Sequence, residues 1–317
     1  MLLLLTMTFS TISCDEDDDQ NPTETITTIA QSTENISIFA QAVIRADLAN
    51  TFDDENVSLT VFAPTNEAFA AYLTAEGYDE GIYDVDPDPE GLRRILLNHV
   101  IGMEKTVTDL PRNGYLTTGG IPDAPASSNL SLYINKSSGT RLNGTASITT
   151  RDIRATNGII HIVNGVIGLP TIETHLRINP NLSTLYSLLQ RNQQPDFATI
   201  LRGQGPFTMF APTNDAFSSL NKEITGGIGT VTPENITAIL QYHVVEGRFL
   251  VNQLTEGQIL STTLIPTTLM ITVNGGAKIT DDTSRISTIG TTDIKAVNGV
   301  IHGVNRVLLP NSNNNPL

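Results

Sequence analysis

The ten residues at 208–217 read TMFAPTNDAF, and nearly the same phrase stands at 60–69 as TVFAPTNEAF. Eight of the ten positions are identical, and Val61 for Met209 and Glu67 for Asp215 keep their chemistry. So close a recurrence within one chain marks an internal duplication. Within the phrase, Thr-Val-Phe-Ala reads as a short apolar strand. Pro64 and Pro212 end it, because proline cannot donate to a strand ladder. Thr65 and Thr213 are then placed to cap a helix whose first turn carries Glu67 or Asp215 at the positive end of its dipole.

Working outward, further pairs match. Ile36, Phe39, Ala40, Val43 and Ile44 share one helical face, as do Leu182, Leu185, Tyr186 and Leu189. A second helix starts at Asp88-Pro89-Glu90 in one half and Thr232-Pro233-Glu234 in the other. Its apolar face is Leu92, Ile95, Leu96 and Val100, matched by Ile236, Ile239, Leu240 and Val244. His99 and His243 sit near its end, and Gly102 and Gly247 read as the closing turn. The period then becomes two. Leu130, Leu132 and Ile134 alternate with polar residues and are followed by Asn135, and Leu269, Ile271 and Val273 are followed by Asn274. Asn157-Gly158 and Asn298-Gly299 are hairpin signals, each leading into an apolar strand that carries His161 or His302. The offset between copies drifts from 148 at the phrase to 144 at His99/His243 and 141 at His161/His302, the mark of small loop deletions.

At 317 residues, the chain has room for two such units, each able to bury a core without staples. Its net charge is −15, which argues against nucleic acid and anionic membrane surfaces as partners. The single cysteine, Cys14, rules out an intramolecular disulfide and a thiolate metal cluster. Trp is absent, so stacking platforms for sugars are scarce. Residues 1–14, MLLLLTMTFSTISC, are too short an apolar run to span a bilayer and read as an export signal. The run resembles a bacterial lipoprotein signal that ends at a lipidated Cys14, although Thr11 stands where such signals carry leucine and no Lys or Arg precedes it. An ordinary secretory signal is the other reading. The acidic run Asp15–Asp19 resembles the surface-export tag of Bacteroidetes-type lipoproteins. Residues 15–30 read as an acidic and polar tether, 31–170 and 178–310 as the two domains, and 311–317 as a disordered tail. The seven Asn-x-Ser/Thr sequons follow from a chain rich in Asn, Ser and Thr.

Each half resembles a fasciclin (FAS1) domain. TVFAPTNEAF and TMFAPTNDAF look like that family's first block, Tyr242-His243 like its central Tyr-His motif, and the segments around Asn157-Gly158 and Asn298-Gly299 like its second block. The resemblance implies an α+β fold of two tandem domains, each a twisted β-wedge or sandwich packed with helices. It also implies an extracellular adhesion or matrix-binding role, with Thr65, Asn66, His99, His161, Thr213, Asn214, Tyr242, His243 and His302 as candidate binding residues. The first copy has Asn98 in place of the motif tyrosine, which makes the first domain the poorer candidate binder.

Catalytic and metal-binding signals are weak. His99 with His161, or His243 with His302, would need a third ligand, and no His-x-x-x-His or Glu-x-x-His spacing supplies one. A histidine ring nitrogen holding a backbone carbonyl is the simpler expectation, and Asn66 and Asn214 are expected to bond local backbone. No Gly-x-Ser-x-Gly elbow occurs, and Gly226-Gly227-Ile228-Gly229 lacks the lysine of a phosphate loop. The pairs Asp281-Asp282 and Asp53-Asp54 read as solvated loops. The sequence therefore points to a non-enzymatic adhesion protein with no cofactor and no metal. Its expected partner is an extracellular protein or polysaccharide, and it meets the membrane only through a lipid anchor at Cys14. The expected location is the outer-membrane cell surface, with a periplasmic or secreted protein as the other option. A glycan-capturing accessory lipoprotein is the alternative function.

Overall fold

The computed structural model describes residues 22–77, 89–119, 129–191, 197, 201 and 205–311. The first half runs α1 (Ile26–Ser32), α2 (Ser37–Arg45), α3 (Ala49–Phe52), β1 (Leu59–Pro64), α4 (Asn66–Ala75), α5 (Pro89–Leu97), β2 (Val100–Ile101), β3 (Asn113–Thr117), β4 (Ser131–Asn135), β5 (Arg141–Leu142), β6 (Ala146–Ala155) and β7 (Gly158–Val163). The second half repeats the plan. Its elements are α6 (Ile172–Ile178), α7 (Ser183–Leu189), β8 (Phe207–Pro212), α8 (Asn214–Glu223), α9 (Pro233–Tyr242), β9 (Val244–Glu246), β10 (Ile259–Ser261), β11 (Thr268–Thr272), β12 (Lys278–Thr280), β13 (Ile286–Thr288), β14 (Ile294–Ala296) and β15 (Gly299–Val304).

The quoted phrase forms the centre of each half. β1 pairs in parallel with β7 from Leu59↔Gly158 to Pro64↔Val163, and β8 pairs in parallel with β15 from Phe207↔Gly299 to Pro212↔Val304. Every residue of β1, β7 and β15 is buried. That explains a continuous apolar run where a half-exposed strand would alternate. Alternate side chains feed two apolar layers. Val61, Ala63, Ile160 and Ile162 meet the helices, while Phe62 and Val163 meet Leu132, Ile134 and Leu142 of the outer strands. The second half divides in the same way, with Met209, Ala211 and Ile301 against helices and Phe210 and Val304 against Leu260, Leu269 and Ile271. In the first half one seven-stranded sheet runs β2-β1-β7-β6-β5-β4-β3, bent where β6 is irregular between Ile148 and Ile153. In the second half that long strand is divided into β13 and β14, leaving two four-stranded sheets.

Several expectations shift. Residues 26–30, read as tether, belong to α1, whose Ile26 and Ala30 are buried in the first core. Likewise 172–178, read as connector, form α6, and Ile172 and Leu176 are buried in the second core. Few apolar residues lie among the threonines there, so periodicity is weak. The stripe on α2 is rotated toward Ala42, leaving Ile44 51% exposed. Val100 and Val244 lie in short strands beyond the helices, so Gly102 and Gly247 follow a strand rather than cap a helix. The ladders match Leu132 with Leu269 as inward partners of Leu116 and Leu260, which places Asn135 opposite Thr272 rather than Asn274 in the repeat. Each hairpin turn lies one residue earlier than read, at 156–157 and 297–298. The signal and Cys14, residues 15–21, Asp88 and the tail at 312–317 lie outside the described residues.

Gly158 is needed for close approach as well as for its backbone angle. Its φ is +146°, and a Cβ there would lie 2.0 Å from the Leu59 carbonyl oxygen across the parallel pair. Gly158→Ala is therefore expected to destabilise the first half by about 3 kcal/mol, read by urea unfolding. Gly168→Ala, where a Cβ meets nothing within 4 Å, is the control and should leave the midpoint nearly unchanged.

Candidate functional site

The strand-to-helix corner of the phrase is built twice with the same bonds. Thr65 Oγ1 accepts from Ala68 N at 3.2 Å, and Thr213 Oγ1 accepts from Ala216 N at 3.3 Å, so both threonines are N-caps. Asn66 and Asn214 reach farther than local backbone. Asn66 Oδ1 accepts from Ile38 N at 2.9 Å while Nδ2 donates to the Glu34 carbonyl at 2.8 Å. Asn214 does the same with Thr184 N at 2.9 Å and the Pro180 carbonyl at 2.8 Å. Each asparagine thus caps the start of a neighbouring helix, α2 or α7.

The matched histidines are backbone staples. His99 Nδ1 lies 2.8 Å from the Ile95 carbonyl, and its Nε2 accepts from Ile167 N at 2.9 Å. His243 repeats this with the Ile239 carbonyl at 2.7 Å and Leu308 N at 3.0 Å. A ring that donates from one nitrogen and accepts at the other must be neutral. Burial accordingly pushes both rings down to about 4. His161 and His302 carry the opposite tautomer. Nδ1 accepts from Asp152 N at 3.1 Å or Asp293 N at 3.2 Å, and Nε2 donates to the Lys105 carbonyl at 3.0 Å or the Phe249 carbonyl at 2.8 Å. Burial lowers both. The aspartates concerned have left-handed φ of 60° and 56°, a matched feature that motif reading missed. All four rings spend both nitrogens on backbone. Among the described residues no group of three or more His, Cys, Asp or Glu is placed to hold a metal ion.

The Tyr-His motif differs between halves as its sequence does. Tyr242 is fully buried, donates from its hydroxyl to the Thr268 carbonyl at 2.8 Å and accepts from Asp282 N at 2.8 Å. Burial raises its pKa. In the first half Asn98 turns the other way, with Nδ2 donating to the carbonyls of Ile167 at 2.9 Å and Gly168 at 3.0 Å. The tyrosine hydroxyl therefore connects helix α9 to the floor of a surface cleft of about 570 Å³, lined by Leu264, Ile265, Thr268, Asp282, Pro310 and Asn311. In the first half Asn98 reaches toward the outer strands through Thr118, whose Oγ1 donates to Asn98 Oδ1 at 3.0 Å and lies 3.2 Å from the Leu130 carbonyl oxygen. Asp281, read as a solvated loop residue, is only 5% exposed. Its Oδ1 accepts from Thr283 N at 3.0 Å and Arg285 N at 2.9 Å, and its Oδ2 accepts from Leu309 N at 3.0 Å. The fifth histidine, His175, has no partner in the repeat because Ile29 holds its place. It is buried edge-on to Tyr115 of the first half, with ring centroids 5.4 Å apart.

A duplicated α+β unit, with its motif residues engaged in bracing the backbone, defines a tandem structural module. The chain belongs to the fasciclin domain family, whose sequence model ("Fasciclin domain") matches residues 34–170 and 180–310. It is similar to the pig transforming growth factor-beta-induced protein ig-h3, 29% identical over 264 residues, covering 80% of this chain and 35% of that protein. Protein sll1483 of Synechocystis is 36% identical over 135 residues, covering 42% of this chain and 69% of that protein. The rabbit ig-h3 protein is likewise covered over only 35% of its length, so the chain spans about a third of these longer relatives. Among solved structures, a FAS1 domain pair from the insect cell adhesion molecule fasciclin I shares the fold. Its TM-score is 0.54 at 21% identity, covering 87% of this chain and 97% of that one.

His99, His175 and His243 are held to about 4 against an ordinary 6.5. As pH falls the unfolded chain takes up protons first, so stability is full near neutrality and is lost between about pH 6.5 and 4, with no further loss from these groups below that. Each contributes about 3 kcal/mol to the total loss over that range. Urea unfolding followed across this range checks the loss. Histidine NMR titration should show these three rings unprotonated at about pH 5, and midpoints near 6.5 would refute the staple.

Proposed function

We propose that this is a non-catalytic, cell-surface adhesion protein that binds an extracellular protein or polysaccharide through its second domain, with a lipid anchor at Cys14. The observation that carries the reading is the Tyr242 hydroxyl. It ties the Tyr-His motif to Thr268 and Asp282, which line the cleft beside Ile265, a residue 86% exposed. Several polar groups converge on an open, partly apolar concavity, which is the usual form of a binding site. The other candidate binding residues hold the frame of the half in which each lies. Thr65, Asn66, His99 and His161 brace the first half, and Thr213, Asn214, His243 and His302 brace the second. Kinship with an insect cell adhesion molecule supports an adhesive role. Two modules on one chain raise avidity wherever a partner offers repeated sites. The acidic segment after Cys14 serves as the spacer from the membrane.

Binding of soluble residues 22–311 to arrays of matrix proteins and surface polysaccharides tests the adhesive reading. Tyr242→Phe removes one hydroxyl and is expected to weaken the binding found by about tenfold while the first domain is untouched. A fragment that binds nothing, or a variant that binds equally well, would contradict the assignment. For the anchor, Cys14→Ser should move the full chain out of the membrane fraction, and retention there would exclude lipidation as the tether.

A further inference from the structure

The two halves treat one sheet face differently. In the first half, β3 and β4 place Leu116 opposite Leu132 and Tyr115 opposite Tyr133. In the second, β10 and β11 place Leu260 opposite Leu269 and Ile259 opposite Met270. Leu132 and Leu269 point into their cores, so Tyr115–Tyr133 and Ile259–Met270 are equivalent pairs on the outer face. The second half covers the first pair. His175 packs edge-on against Tyr115, Asn179 Nδ2 donates to the Tyr115 hydroxyl at 3.2 Å, and Lys295 N donates to Ser131 Oγ at 2.9 Å. Tyr133 is left 3% exposed.

Among the described residues nothing covers the second pair. Ile259 is 57% exposed, Met270 42% and Ile286 56%. The registers Ile259↔Met270, Met270↔Thr280 and Thr280↔Ile286 set them in one straight row across all four strands. The outer face of an antiparallel sheet is ordinarily polar, and a row on it in which only Thr280 is polar among four positions marks a contact surface.

The elements that cover the first face also have uncovered counterparts. Helix α6 and strand β14 do the covering in the second half, and α1 and the end of β6 hold their places in the first. The match is residue by residue. Thr25 and Thr171 are the N-caps, and the next backbone N–H, of Ile26 or Ile172, donates to Asn157 Oδ1 or Asn298 Oδ1. On this alignment Ser32 stands for Ile178, whose Cγ2 lies 3.0 Å from the Cβ position of Gly144 in the first half. Arg154 stands for Lys295. Ser32 and Arg154 are exposed. Each chain therefore carries one open copy of both sides of a contact that it already makes internally.

We propose that the outer face of β10–β13 docks the α1 and β6 edge of a second copy of this chain, repeating the internal contact head to tail. Such a contact is heterologous, so it builds open strings or closed rings of chains. The net charge of −15 opposes the approach of copies, so association should strengthen as salt screens it. The inference does not depend on the ligand cleft, whose lining includes none of Ile259, Met270 and Ile286.

Sedimentation velocity of the full chain tests it. The wild-type chain should self-associate with concentration and more strongly in added salt. Met270→Asp should weaken association about a hundredfold with an unchanged thermal midpoint, and Ile286→Lys should act alike. Ser32→Arg should give the same loss from the opposite side. Mixing the Met270→Asp and Ser32→Arg chains should restore a one-to-one complex, because each keeps the face the other lacks. A wild-type chain that stays monomeric, association indifferent to Met270→Asp, or a Ser32→Arg chain that still dimerises would each overturn the proposal.

Discussion

The parallel pairing of β1 with β7, and of β8 with β15, is the constraint on which each half depends. The paired strands are about a hundred residues apart in sequence, and their contact must be closed against the entropy of that long loop. Once paired, both of their faces are apolar and must be covered. Helices cover one face and the remaining strands the other, so the position of every other element follows from this pair. The conformational demand at Gly158, and the apolar run that precedes Pro64 and Pro212, are consequences of the same geometry.

Histidine suits the seams around this pair because a neutral imidazole donates on one side and accepts on the other. His99 and His243 join the end of a helix to the segment that follows β7 or β15, each bonding a helix carbonyl and accepting from a buried loop N–H. His161 and His302 use the reverse tautomer at a strand crossing. A lysine or glutamine would offer charge or an amide on a flexible stem, and neither matches two fixed partners in so closed a space. The cost of this arrangement is sensitivity to acid, since a protonated ring has no acceptor to give.

Much of the fold was legible because its signals are local. Thr65 and Thr213 as caps, the Pro233 helix start and the alternation of Leu132 and Ile134 depend on neighbours within a few positions. The pairing of β1 with β7 is non-local, and composition gave no register for it. Helices α1 and α6 were missed because Ile26, Ala30, Ile172 and Leu176 are too few for a periodic stripe, and their burial is decided by Asn157 and Asn298 far along the chain. Asp281 was misread since an Asp-Asp pair beside Thr looks like any turn, and only the fold brings Leu309 N to it. The histidines' structural role was anticipated, but not the tautomers. The row Ile259–Met270–Ile286 escaped notice because alternation shows which residues face inward and says nothing of what covers the others.

Native-state hydrogen exchange on the full chain tests the central claim most directly. The account predicts two separate sets of slowest-exchanging amides, one in β1 and β7 and the other in β8 and β15, with the outer strands and helices exchanging sooner. Slowest exchange in the outer strands or the helices, or a single set shared by both halves, would contradict it.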